Sequence, residues 1–198
     1  MPGKDKLKEL YEIDEIIKRD SVPEERVAKC YNEESTLSED TKLVIVGTLT
    51  PPNTQYFYCS PSNRIYGYID EAAKECRKFK ESLKDLKQNK GAVEKIRSVL
   101  KGYGIAFLDV MGKAIRKEVS SKDSDIAFFC LADKDKFDQI AANRKIKIIV
   151  NSRLAEKLAK KLIPDAVVSD KERFQFLSQR RGKKEDWLET IKSALVAS

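Results

Sequence analysis

Three short apolar runs do most to limit what this chain can fold into. KLVIVG (Lys42–Gly47), IAFLDV (Ile105–Val110) and KIIV (Lys147–Val150) are too short for stable helices and rich in β-branched residues. They are also continuously apolar, where a half-exposed strand would alternate. A strand of that kind is covered on both faces, and stretches of helical spacing lie between the runs. The fold class that follows is α/β, a mostly parallel sheet with helices on both sides. The run AVV (Ala166–Val168) reads as a fourth, short strand, so strands are expected near residues 43–47, 105–109, 146–150 and 165–168. Helices are expected over residues 5–19, where Leu7, Leu10, Ile13 and Ile17 share a face, and over 63–101 with a break near Asn89-Lys90-Gly91. Further helices are expected over 133–143, opened by Asp133 as a cap, over 152–162, and in the closing RGKKEDWLETIKSAL. Ser124–Phe129 reads as a short edge strand or an extended segment.

A chain of 198 residues suits one domain. Residues 1–41 read as an acidic helical arm that packs on a body formed by residues 42–198. The net charge of +7 is unevenly spread: the arm carries −5 and the body +12. A basic body is the electrostatic footprint of a polyanion binder. No apolar run approaches the length that spans a bilayer, and the N-terminal MPGKDKLKELYE is too polar for a secretory signal. The expected location is cytoplasmic, in association with the nucleoid, or nuclear in a eukaryote.

The sequence contains no histidine. That removes Ser-His-Asp and Cys-His nucleophile pairs, imidazole acid–base steps and His-ligated metals. Cys30, Cys59, Cys76 and Cys130 are scattered without a CxxC pair, which argues against a zinc ribbon or a closely ligated iron–sulfur cluster. Free, mostly buried thiols are expected. Any chemistry must rest on Asp, Glu, Asn, Lys, Tyr, Ser or backbone groups.

Functional sites of parallel sheets sit at the carboxyl ends of the strands. This places Gly47 onward, Asp109 and Asn151 together. The richest stretch is VGTLTPPNTQYFYCSPSNRIYGYID (Val46–Asp70). Its glycine lets backbone approach a ligand. Tyr56, Phe57 and Tyr58 offer faces for stacking a base, or they belong to the core of an Ω-loop. Asn63 offers a donor and an acceptor, and Arg64 a planar cation.

GTLTPP followed by YFYCSPSNRIY resembles the first motif region of the uracil-DNA glycosylase superfamily, nearest its hypoxanthine-DNA glycosylase-like branch. GIAFLDVMGKAIRKEVSSKDSDI (Gly104–Ile126) is similar to that branch's second strand and Ser-x-Asp-Ser segment. IIVNSRLAEKLAKKL, with Asn151 at a strand end, and the closing KKEDWLETIKSAL extend the likeness in order from about residue 42 to 195.

The resemblance implies a three-layer αβα sandwich around a four-stranded, mostly parallel sheet. It implies a DNA repair enzyme, a monofunctional glycosylase of base excision repair. Such an enzyme flips a deaminated base (uracil, hypoxanthine or similar) out of DNA and hydrolyses its N-glycosidic bond, with no metal and no cofactor. DNA, single- or double-stranded, is the implied partner, and a monomer without membrane contact is expected.

Carried over residue by residue, Asn63 is the catalytic position and orients water; its other reading is the cap of the helix that begins there. Phe57 or Tyr58 stacks on the base, and Gly47, Thr48 and Leu49 line the pocket. Asp109 and Asn151 contact the base or hold the loops. Arg64 is assigned to DNA. Phe176 or Leu177 serves as a wedge beside Ser178, and Arg180 and Arg181 bind phosphate or form a solvated turn. Two features depart from the family pattern. Leu49 stands where many members carry a water-activating Asp, Asn or Glu, with Thr50 replacing Pro. The stretch 168–184 lacks the Pro-Ser-Ser-like or His-Pro-Ser loop. These departures keep open a second reading, a binding protein of the same fold without activity.

Overall fold

A computed structural model describes residues 8–9, 12–50, 54–59, 63–89, 91–118, 122–178 and 182–196. In chain order the elements are β1 (Lys8–Glu9), α1 (Ile13–Arg19), β2 (Val27–Lys29), β3 (Leu43–Gly47), α2 (Ile65–Glu75), α3 (Leu83–Leu86), α4 (Val93–Tyr103) and β4 (Ile105–Asp109). There follow β5 (Met111–Arg116), β6 (Ile126–Leu131), α5 (Asp135–Ala142), β7 (Lys147–Val150), α6 (Arg153–Leu162), α7 (Asp165–Val168), β8 (Phe174–Phe176) and α8 (Lys184–Val196).

The central sheet has the order β4-β3-β7-β8, and every pairing in it is parallel. The continuous apolar runs are explained by its two buried faces. Leu43 and Ile45 of β3, with Ile105 and Phe107 of β4, join a core built from α2, α4 and α8. Val44 and Val46, with Ala106 and Leu108, point the other way, into a second core with α5 and α6. The period of two thus assigns each strand residue to one core or the other.

The sheet corrects one expectation. Residues 165–168 are not the fourth strand: they form the helical turn α7, and the fourth strand is β8 at Phe174–Phe176. Pro164 stands at the N-cap of that turn and Asp165 in its first position, a helix-opening pattern that outweighs the β-branched side chains of Val167 and Val168. Arg173 sets β8 in place. Its guanidinium is buried and donates to the carbonyls of Ile140, Ala141, Asn143 and Ile146, so one side chain ties the end of α5 to the start of β7.

A second four-stranded sheet, in the order β1-β6-β5-β2, lies outside the αβα frame. Its β2–β5 and β5–β6 pairings are antiparallel, and Ala28, Met111, Ala114, Ile126 and Phe129 put its inner face into the second core. Of residues 1–41, the described part contains β1, α1, β2 and two 3-10 turns, so it is only partly helical. Its Ser/Thr-rich stretch covers the open edge of β4. The Asn32 side chain donates to Asp109 O (2.9 Å) and accepts from Asp109 N (2.8 Å), while Ser35 Oγ and Thr36 Oγ1 each donate at 2.7 Å to the carbonyls of Phe107 and Ile105. Three polar side chains thereby satisfy an edge that would otherwise expose unpaired backbone. Gly104, at φ +67°, ends α4 in the left-handed conformation; a β-carbon there would lie 2.9 Å from Asp40 O, so glycine allows both the cap and the close approach of this covering segment.

Among the described residues, no helix is long and apolar enough to cross a membrane.

Candidate active site at the carboxyl edge of the sheet

Parallel registration brings the strand ends to one line. Gly47 is paired with Asp109, and Asn151 N donates to Val46 O at 3.1 Å. Gly47, Asp109 and Asn151 therefore meet at the carboxyl edge, the edge at which parallel sheets place their ligands.

Tyr58 closes over them. A β-carbon on Gly47 would lie 2.5 Å from the Tyr58 hydroxyl and 3.1 Å from Asp109 Oδ1. Both polar atoms thus rest against the bare Cα of Gly47. The phenol accepts from Asn151 Nδ2 at 2.9 Å, and its ring packs edge-on to Phe107 at 4.8 Å. Tyr58 holds φ at +55°, a left-handed conformation costly for a side chain of this size and kept only where the surroundings over-determine it. Burial raises its hydroxyl well above the ordinary tyrosine range, with Asp109 and Asp123 adding to the effect. The phenol is therefore neutral at working pH and can donate a hydrogen bond.

Asp109 is the ionisable group of the cluster. Its Oδ2 accepts from both the backbone N and the Oγ1 of Thr50, each at 2.8 Å. Burial pushes its carboxyl up to about 7, against the lowering effect of the Thr50 bonds; Asp123 raises it further and Arg116 lowers it. A carboxyl poised there exchanges its proton near neutrality.

A second group sits on Thr48. Its Oγ1 bonds Asp123 Oδ2 at 2.9 Å and Ser152 Oγ at 2.8 Å, and Ser152 Oγ caps α6 by accepting from Ala155 N at 3.0 Å. Thr50, Asp123 and Ser152 were not among the expected site residues. Thr50 and Ser152 adjoin expected positions, whereas Asp123 lies 75 residues from its partner Thr48, and its only trace in the sequence is the Ser-x-Asp-Ser segment.

Other expected positions lie elsewhere. Leu49 is buried in the second core and Phe57 is fully buried in the first, in an aromatic group with Tyr56 and Phe107; neither offers a surface to a base. Asn63 is tied to the head of α2. Its Oδ1 accepts from Ile65 N at 2.9 Å and its carbonyl accepts from Lys87 Nζ at 2.6 Å, a cap-like arrangement. On the next turn of the chain Tyr66 donates to Phe57 O and packs on Phe107. Arg64 is exposed at the N-cap of α2.

Phe176 ends β8, half-buried, with the exposed Arg153 guanidinium 4.0 Å over its ring. Leu177 packs on the first core, and Ser178 O accepts from Gly182 N at 2.7 Å. Arg180 and Arg181 lie outside the described residues.

Gly47→Ala should displace Tyr58, because the phenol is held by Phe107 and Asn151 and has no slack. The expected cost is about 1–3 kcal/mol of overpacking. Adding Tyr58→Phe should recover much of it, since the clashing atom is removed. Chemical denaturation of the single and double variants measures this; additive losses would show that the clash is relieved in some other way.

No protein-family model matches the chain, and no curated protein matches it. Among solved structures, it is similar to the solution structure of a protein from Methanosarcina acetivorans provisionally named a uracil DNA glycosylase. The identity is 20%, the TM-score 0.58, and the match covers 85% of this chain and 98% of that one. The likeness establishes the fold: an αβα sandwich about a four-stranded parallel sheet.

Proposed function

We propose that the protein is a DNA glycosylase that hydrolyses the N-glycosidic bond of a deaminated base. The observation that carries this reading is the convergence of Asp109, Tyr58 and Asn151 on the bare Cα of Gly47 at the carboxyl edge. The neighbour's fold and provisional name, and the ordered likeness of residues 42–195 to the hypoxanthine-DNA glycosylase-like branch, support it.

Hydrolysis of this bond passes through an oxocarbenium-like sugar while the base departs with the bonding electrons. The site needs donors for the base, a positioned water and little else. The neutral Tyr58 hydroxyl and the Asn151 amide supply hydrogen bonds to the base edge. Asp109, in its protonated form below about 7, donates a proton or hydrogen bond to the departing base. Asn63 orients water from the head of α2. The +12 charge of residues 42–198, with Arg64 and Arg153 exposed, attracts the phosphate backbone.

The direct test is incubation with oligonucleotides bearing uracil, hypoxanthine or xanthine, single- and double-stranded, followed by alkaline cleavage at abasic sites. Strand scission confined to one or more of these lesions is expected. DNA binding without scission would instead establish a recognition protein of the same fold, a reading that the buried Leu49 favours because it leaves the Gly47–Thr50 turn without a carboxylate.

Affinity should also fall steeply with salt. If about six phosphates are contacted, the loss between 50 and 200 mM salt is on the order of 10³-fold. A flat salt response would point to a small-molecule substrate.

A further inference from the structure

Water is a weak nucleophile, and its attack on the sugar carbon is assisted by a base within hydrogen-bond reach. Asp109 is poorly placed for that task. It is 2% exposed, one of its oxygens takes both Thr50 bonds, and the other rests against Gly47 beside the Tyr58 hydroxyl. We propose that Asp123 is a catalytic residue of this site, the carboxylate that takes the proton of the hydrolytic water. The proposal rests on the glycosylase reading.

Asp123 enters from outside the central sheet, on the 3-10 turn Asp123–Asp125 that leads into β6. It is half-buried, so water reaches it. Its orientation is set by a directed chain of hydrogen bonds. Ser152 Oγ uses a lone pair on Ala155 N–H and gives its proton to Thr48 Oγ1; Thr48 then gives its own proton to Asp123 Oδ2. This order is the one that lets a carboxylate end the chain as acceptor.

A buried cation stands behind the turn. Arg116 is fully buried, its Nη1 donates to Lys122 O at 2.9 Å, and its Nε and Nη2 have no hydrogen-bond partner among the described residues. A guanidinium in such a position is costly unless negative charge lies nearby, and the carboxylates that act on it are Asp123 first, then Asp125 and Asp109. Arg116 thereby holds negative charge at the turn.

The two carboxyls then divide the reaction. The water oxygen bonds to the sugar carbon as the carbon–nitrogen bond breaks, and Asp123 takes the water proton. The bonding pair leaves with the base, which is protonated by Asp109. The products are the free base and an abasic sugar.

Asp123→Asn separates charge from architecture, because the amide oxygen still accepts from Thr48. On the lesion that the unmodified protein excises, single-turnover excision per folded molecule should fall by about 10²-fold or more with DNA affinity nearly unchanged, while Tm falls because the buried Arg116 loses the first of its carboxylates. Asp123→Glu, which keeps the charge, should retain more activity than Asp123→Asn. Excision by Asp123→Asn within about threefold of the unmodified protein would overturn the proposal and reduce Asp123 to a brace for Thr48, while leaving the glycosylase reading intact. Absence of excision by the unmodified protein on every lesion would overturn that reading, and this proposal with it.

Discussion

Asp109→Asn is expected to make the protein more stable above pH 7 and to abolish most of its excision activity. The carboxyl is raised from 3.8 to about 7, chiefly by burial. The folded state therefore holds its proton over a range in which the unfolded chain has released it. Stability falls as pH rises from about 4 to about 7 and is then level, because the native state must either keep a proton or bury a charge. The shift corresponds to a ceiling of about 4 kcal/mol. An amide carries no charge to bury, and its oxygen still accepts the Thr50 bonds. The variant should gain on the order of 5–10 °C in Tm at pH 8.5, with the gain vanishing towards pH 4. Thermal unfolding of both proteins across this range measures it. A gain independent of pH, or none, would mean that Asp109 is not held as a buried, proton-binding carboxyl. Below about pH 7, where Asp109 holds its proton, excision should fall by about 10²-fold or more, since the proton donor is gone. A residue that costs stability and supplies chemistry is the pattern expected of an active site.

Asn63→Ala discriminates between the two roles open to that residue. As the group that orients water, its loss should reduce single-turnover excision by about 10²-fold or more, with DNA affinity little changed because phosphate contacts carry most of it. As a cap only, its loss should cost about 1 kcal/mol, from the broken bond to Ile65 N, with excision per folded molecule near normal. Measuring excision beside thermal stability separates the outcomes. Asn63 Oδ1 accepts from Ile65 N as a cap would, so the activity measurement decides whether the residue has the second role as well.

The parts of the fold legible in the sequence are those whose signal is local. The runs around Val44, Phe107 and Ile149 are continuously apolar because each strand faces two cores, and a buried parallel strand carries that pattern wherever it occurs. Their ends locate Gly47, Asp109 and Asn151 on one edge, since parallel strands all end on the same side. The fourth strand was not legible. FQF is three residues long and follows a turn held by Arg173, whereas AVV has the better strand composition but stands behind a helix-opening Pro164. The outer sheet was missed for a related reason: MGKAIR and VAK are short and of mixed polarity, and they become strands only by pairing with each other and with β6.

The amino-acid sequence alone determined three strands of the central sheet, their two covered faces and the line of strand ends, because burial on both faces imposes an apolar pattern within a few consecutive residues. Tertiary structure decided which polar groups share the site. Tyr56, Phe57 and Tyr58 are equivalent as a string, yet only Tyr58 turns to Gly47, through a left-handed backbone that no composition announces. Asp123 meets Thr48, Asn32 meets Asp109, and Arg116 lies behind the Asp123 turn because strands pair and layers pack. Contacts of that kind depend on the path of the chain through space, and a hydrogen bond between residues 75 apart leaves no periodicity for a single sequence to display.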